Sequence, residues 1–244
     1  LAFTSFIHKT ETREDRDIHC TEQHGGISAR FLKDTKYYEH EVRTDGSREK
    51  CIFSNWGQVR ENIVLSRDNR GYVSWLWDGD KAYSYSRYED PSDAGILILS
   101  PDGPPDKSNS QQIIFAGHIG AATWGYLFGD VERFDEMLLK ATNITVRNRK
   151  EKIRRVSNYV IEAVNERGSY TIWIDPEHGY NFSKAVVYRR AGDKAFQIVL
   201  QPGEEYMAVV ENTKFQEIDG VWIPWEATME NQRKFANGDY TYLR

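Results

Sequence analysis

Asp175, Glu177 and His178 are the residues of this chain best suited to chemistry, because carboxylates beside an imidazole can transfer protons. They stand within four positions at the end of a predicted strand, beside a candidate groove. The composition is equally typical of a plain turn, since Pro176 ends strands. The chain has no Gly-x-Ser-x-Gly, His-Glu-x-x-His, phosphate-loop or paired-cysteine motif. We therefore expect a protein that is not an enzyme, with a hydrolase built on these residues as the weaker alternative.

The elements that must position these residues are strands. Short runs rich in Tyr, Trp, Val and Ile alternate with Gly-centred turns from about residue 35 to residue 244, which is typical of consecutive hairpins. The predicted strands are 18–22, 36–43, 49–55, 59–67, 71–77, 81–88, 143–148, 156–164, 169–175, 181–190, 206–218, 221–229 and 240–243. We expect a mainly β (α+β) fold in one domain, residues 1–244. Its large curved antiparallel sheet would form an unclosed half-barrel.

A few helices are expected to cover this sheet as a lid or plug. Residues 101–142 are predicted to form a flap and a helical lid. Within them, apolar residues at helical spacing follow a capping Asp130, namely Val131, Phe134, Met137, Leu138 and Ala141. The uncharged run 113–129 is shorter than a membrane span of roughly 20 residues. Residues 1–17 are interpreted as the end of a truncated helix and a linker.

Charge and cysteine content exclude several classes of partner. The chain carries 32 basic and 37 acidic residues, a net charge of −5, and no basic block, which argues against nucleic acid and anionic membrane surfaces. His19, Cys20 and His24 lack the paired spacing of a metal site, so no metal or cofactor is expected. Cys20 and Cys51 lie in predicted strands and are candidates for a disulfide. Two buried free thiols are the alternative.

Four segments resemble a known family. Residues 170–181 (YTIWIDPEHGYN) and 215–224 (FQEIDGVWIP) resemble the second half of LolA-like proteins, the bacterial outer-membrane lipoprotein carrier and sorting-protein superfamily. In that family one strand ends in a W-x-D-P turn and a later hairpin carries D-G-x-W-x-P. Residues 57–61 and 78–85 are similar to the family's P-x-x-x-R and D-G-K-x-x-x-Y segments.

The resemblance implies a half-barrel with a helical lid that binds lipid or acylated lipoprotein reversibly, in lipoprotein transport or sensing. It also implies a location in the periplasm or cell envelope, with a signal peptide removed or trimmed. We expect a monomer. A membrane-associated protein is a further candidate partner.

Aromatic side chains are the candidates for the ligand groove. They are Trp75, Trp77, Tyr83, Tyr85, Trp124, Phe128, Trp173 and Trp222. An apolar ligand requires these rings on the concave face, whereas a glycan requires them outward on a flat, wet face. A carbohydrate- or protein-binding envelope domain is therefore the alternative function. Whether the concave face holds a cavity or a filled core stays open.

Overall fold

The computed structural model describes residues 6–23, 30–44, 49–60, 63–65, 71–77, 82–87, 96–100, 134–195 and 198–244. Its strands are β1 Phe6–Cys20, β2 Arg30–Thr44, β3 Glu49–Arg60, β4 Ile63–Leu65, β5 Gly71–Trp77, β6 Ala82–Arg87, β7 Ile96–Ser100, β8 Asn143–Val146, β9 Glu151–Ile153, β10 Val156–Asn165, β11 Gly168–Asp175, β12 Asn181–Arg190, β13 Lys194–Ala195, β14 Ile198–Val199, β15 Glu205–Ile218, β16 Val221–Lys234 and β17 Tyr240–Leu243. Helix α1, Phe134–Leu139, is the one helix within these ranges.

The predicted fold class is confirmed. The protein is mainly β, with one large antiparallel sheet that stays open and very few helices. Contacts divide the chain into two compact units, residues 1–16 with 33–113 and residues 17–32 with 114–244, where the sequence predicted one domain.

The first unit contains the strand order β7-β6-β5-β3-β2-β1, with β4 paired to β3. Strand β1 begins at Phe6, so most of the segment expected to be a helix end and a linker is extended. Two of its charged residues are hydrogen-bonded to β2, which makes them compatible with a strand. The Arg16 guanidinium donates to the buried Asp34 carboxylate, with Nε 2.6 Å from Oδ1. Thr35 Oγ1 donates to Asp15 Oδ1 over 2.7 Å.

The second unit contains residues 17–20 at the end of β1 and continues in the order β17-β16-β15-β12-β11-β10-β8, with β9 paired to β10. Burial alternates along its strands, as a sheet with one covered face requires. The hairpin between β15 and β16 turns at Asp219 and Gly220, whose φ angles are 51° and 79°. Two successive positive φ values are typical of the tight hairpin turns that Asp-Gly favours, as the sequence predicted.

The core of the second unit lies on one face of this sheet. We call it the apolar layer. It consists of the buried residues Ala163, Tyr170, Ile172, Ile174, Phe182, Ala185, Val187, Ala195, Leu200, Tyr206, Ala208, Val210 and Met229, and Met137 of α1 packs onto it. Within the described ranges, no helix has the length and apolar character needed to cross a membrane.

Candidate functional site

Helix α1 covers part of the apolar layer with the stripe that the sequence predicted. Met137 is 2% exposed, and Leu138 and Ala141 pack against the layer beside it. The Phe134 ring meets the Phe182 ring edge-on, with centroids 5.4 Å apart. Leu139 faces away and is 89% exposed. Asp130 and Val131, the predicted start of the helix, lie outside the described residues.

The layer changes character along the strands. Ile172, Ala185 and Val210 form one apolar row through the registers β11–β12 and β12–β15. Four residues further along β12, Arg189 pairs with Tyr206, and Tyr206 pairs with Arg233 on β16. The side chains in this second row are buried as well. The same face therefore runs from aliphatic to cationic.

Buried contacts hold the cationic row in place. Arg189 is fully buried, and its Nη2 lies 3.5 Å from the Tyr170 hydroxyl. The guanidinium of Arg233 lies 3.4 Å from both carboxylate oxygens of Glu204. Arginine stays ionised in proteins, so this row holds two buried guanidinium cations, and that of Arg233 is paired with the Glu204 carboxylate. This row was not predicted from the sequence. Its signal was Arg189 at a position where the alternation of β12 predicts an apolar residue.

The chemistry-bearing triplet forms a turn after β11. Asp175 is 3% exposed, and its Oδ1 accepts from the backbone nitrogens of Glu177 at 2.9 Å and His178 at 3.2 Å. Its Oδ2 lies 2.8 Å from Nδ1 of His178. The His178 ring stacks on Phe215 and meets Trp222 edge-on, with centroid separations of 4.9 and 4.6 Å.

The contact between His178 and Asp175 leaves one ring nitrogen of His178, Nε2, without a hydrogen. A carboxylate only accepts, so the contact with Asp175 is satisfied when Nδ1 of His178 carries the proton, and Nε2 is then the basic nitrogen. Glu177 is exposed and enters the turn through its backbone nitrogen. In the described part of the chain, no hydroxyl or thiol is hydrogen-bonded to His178. Among the described residues the geometry thus provides a carboxylate–imidazole pair with no hydroxyl or thiol hydrogen-bonded to it, and the Asp175 contacts hold the turn.

Trp173 lies on the face opposite the apolar layer, because its neighbours Ile172 and Ile174 belong to the layer. Its indole nitrogen donates to Glu151 Oε2 over 2.9 Å, and Lys184 Nζ lies 5.4 Å from the ring centroid. The indole hydrogen bond is the main cause that lowers the pKa of Glu151. Arg147 bridges Glu151 and Glu162 beside it.

The predicted groove residues are brought together only in part. Trp222 meets His178 near the turn, while Trp173 contacts Glu151 and Lys184, so these two belong to separate clusters. The β5–β6 register places Trp75 and Trp77 opposite Ser84 and Ala82, and Tyr83 and Tyr85 opposite Leu76 and Ser74. Tryptophan and tyrosine positions therefore alternate between the two faces of this pair. The side chains of those four residues, and Trp124 and Phe128 entirely, lie outside the described part.

Cys20 is buried, and its Sγ lies 3.9 Å from the backbone oxygen of Tyr240. The side chain of Cys51 lies outside the described residues, so a disulfide between the two stays a prediction. Among the described residues, no group of three or more His, Cys, Asp or Glu side chains is arranged to hold a metal ion.

No protein-family model matches the chain, and no curated protein matches it significantly.

Proposed function

We propose that this protein binds an elongated apolar ligand, a lipid or the acyl chain of a lipoprotein, on the apolar layer beneath α1. The proposal rests on how weakly this layer is covered. Part of an extensive apolar sheet face is closed by a helix of only six residues. A ligand that displaced α1 would gain access to that face.

The energies allow such an exchange. A helix this short is not stable by itself, so the position of α1 depends on the packing of Phe134, Met137 and Leu138. A fully buried large apolar side chain gains about 1.5–3 kcal/mol, so these three, of which Phe134 and Leu138 are partly buried, gain at most about 9 kcal/mol. An acyl chain that buried about 12 methylene groups would gain about 10 kcal/mol. The ligand can therefore offset the loss of the helix contacts, and release follows when the helix returns.

The motifs shared with LolA-like proteins support the same class of ligand. On that basis we place the protein in the periplasm or cell envelope, in transport or sensing of lipoproteins. A membrane-associated protein would then deliver or receive the ligand.

Native mass spectrometry with added palmitic acid, and separately with a triacylated lipopeptide, tests the proposal. We expect one ligand per chain to survive into the gas phase. A mass that stays that of the bare protein at ligand concentrations up to the solubility limit would refute it.

A matched pair of variants on α1 locates the site. Met137→Ala weakens the packing of the helix, so the open form is more populated and the apparent affinity for a dansyl-labelled fatty acid rises by about tenfold. Leu139→Ala removes an apolar side chain from the same helix without touching the layer, so the affinity stays unchanged. Equal affinities in both variants would place the ligand elsewhere, and weaker binding to Met137→Ala would contradict displacement of the helix.

A further inference from the structure

A cleft of about 280 Å³ opens on the second unit, lined by Val164, Asn165, Gly168, Ser169, Tyr188, Arg190 and Asp193. Its floor follows from strand register. Val164 pairs with Ser169 on β11, and Ser169 pairs with Tyr188 on β12, so a small residue stands between two larger ones in one row. The row projects from the face opposite the apolar layer, because the alternating neighbours Ala163, Tyr170 and Val187 belong to that layer.

Two turns frame the cleft. The turn between β10 and β11 lies close to the backbone of β12. A Cβ added to Gly168 would lie 2.5 Å from the backbone oxygen of Tyr188. The turn after β12 is closed by Asp193, whose Oδ2 accepts from the backbone nitrogen of Arg190 over 2.9 Å. An ion pair of 3.3 Å between Lys194 and Glu166 joins the two turns. The walls of the cleft are therefore tied to each other.

The rim offers donors and acceptors together. Asn165 uses its Oδ1 to accept from the backbone of Arg167 at 2.8 Å, which leaves its amide nitrogen as a donor. The Arg190 side chain is exposed and adds further donors, and Asp193 retains Oδ1 as an acceptor. Because the lining contains one cation and one anion, it favours neither a strongly anionic nor a strongly cationic ligand.

The wall supplies an aromatic surface. Tyr188 is 40% exposed, and Val164 faces it across Ser169 with 46% exposure. Partial burial, and then the nearby Glu205 carboxylate, raise the pKa of Tyr188, so its hydroxyl stays protonated around neutral pH. An aromatic face beside hydrogen-bond donors and acceptors matches a ring that has one apolar face and a polar edge.

We infer that this cleft binds a neutral sugar ring stacked on Tyr188, with its hydroxyl groups bonded to Asn165, Arg190 and Asp193. The volume of the cleft suits a ligand as small as one sugar ring, because it lies just below the roughly 300 Å³ at which pockets for drug-sized ligands begin. This site lies on the face of the sheet opposite the proposed lipid site, so either proposal can be refuted without affecting the other.

Saturation-transfer NMR with the methyl glycosides of glucose, galactose, mannose and N-acetylglucosamine tests the inference. At least one glycoside is expected to receive saturation on its ring protons. Tyr188→Ala should lower the affinity for that glycoside by about tenfold, which corresponds to a loss of about 1.4 kcal/mol of stacking energy. Tyr188→Phe keeps the ring and should bind within about twofold of the wild type, since the hydroxyl is not the stacking group.

Two further variants complete the test. Tyr159→Ala removes a ring of similar exposure, 37%, that does not line the cleft, and should leave binding unchanged. Ser169→Leu fills the floor of the cleft at an exposed strand position and should abolish binding while the melting temperature is retained. Absence of transfer to all four glycosides, or equal transfer in Tyr188→Ala and Tyr159→Ala, would overturn the inference.

Discussion

Replacing Asp175 by alanine tests whether the turn after β11 is held by its carboxylate. The substitution removes an acceptor of two backbone N–H groups and one imidazole N–H, at 2.9, 3.2 and 2.8 Å. A hydrogen bond to a charged group contributes about 1.5–3 kcal/mol. Water reaches the partly exposed His178 and replaces some of the lost bonds. We therefore expect Asp175→Ala to lower the free energy of unfolding by about 2–4 kcal/mol.

Calorimetry and urea unfolding measure this loss. For a chain of this size it corresponds to a fall in melting temperature of about 4–16 °C. The matched control is Glu177→Ala, which removes a carboxylate from the same turn but from an exposed position. It should change stability by less than about 0.5 kcal/mol. If both variants lose the same small amount, the Asp175 contacts do not stabilise the turn and our interpretation of the pair as structural is wrong.

Two further predictions concern the close packing of Gly168 against β12 and the pKa of the Glu151 carboxyl. Gly168→Ala should cost about 2–4 kcal/mol of unfolding free energy in urea titrations, because its φ is 132° and an added Cβ would lie 2.5 Å from the Tyr188 backbone oxygen. Trp173→Phe removes the indole hydrogen bond to Glu151, so NMR titration of that carboxyl should show its pKa rising towards the ordinary value. Since the folded-state pKa is lowered, the stability from this contact is present above about pH 4.3 and is lost at lower pH.

Each of these has its own control. Gly192 also has a positive φ, 94°, but an added Cβ there would have no neighbour within 4 Å. Gly192→Ala should therefore lower the free energy of unfolding by only about 1 kcal/mol. An equal loss at both glycines would show that contact with β12 is unimportant. Lys184→Gln removes the smallest of the causes that lower the Glu151 pKa, so it should raise that pKa less than Trp173→Phe does. The reverse order would contradict the role given to the indole.

Much of the second unit was predictable because its signals are local. Alternating residues and turn chemistry predicted strands that overlap β10, β11, β12, β15, β16 and β17. Helical spacing predicted that Phe134, Met137 and Leu138 would pack inward. The part of the strand Phe6–Cys20 before Ile18 was missed, because its charged residues are typical of a linker until the cross-strand partner Asp34 is known.

The amino-acid sequence by itself determined the class of the fold, since period-two patterning and Asp-Gly turns are properties of neighbouring residues. Tertiary structure alone decided what those residues meet. It paired Asp175 with His178 in an aromatic setting, turned Trp173 away from the apolar layer, and buried Arg189 on the same face as that layer. The reason is physical. Which face of a sheet is covered, and by what, depends on partners distant in the chain, and a shift of one residue in register would exchange the two faces.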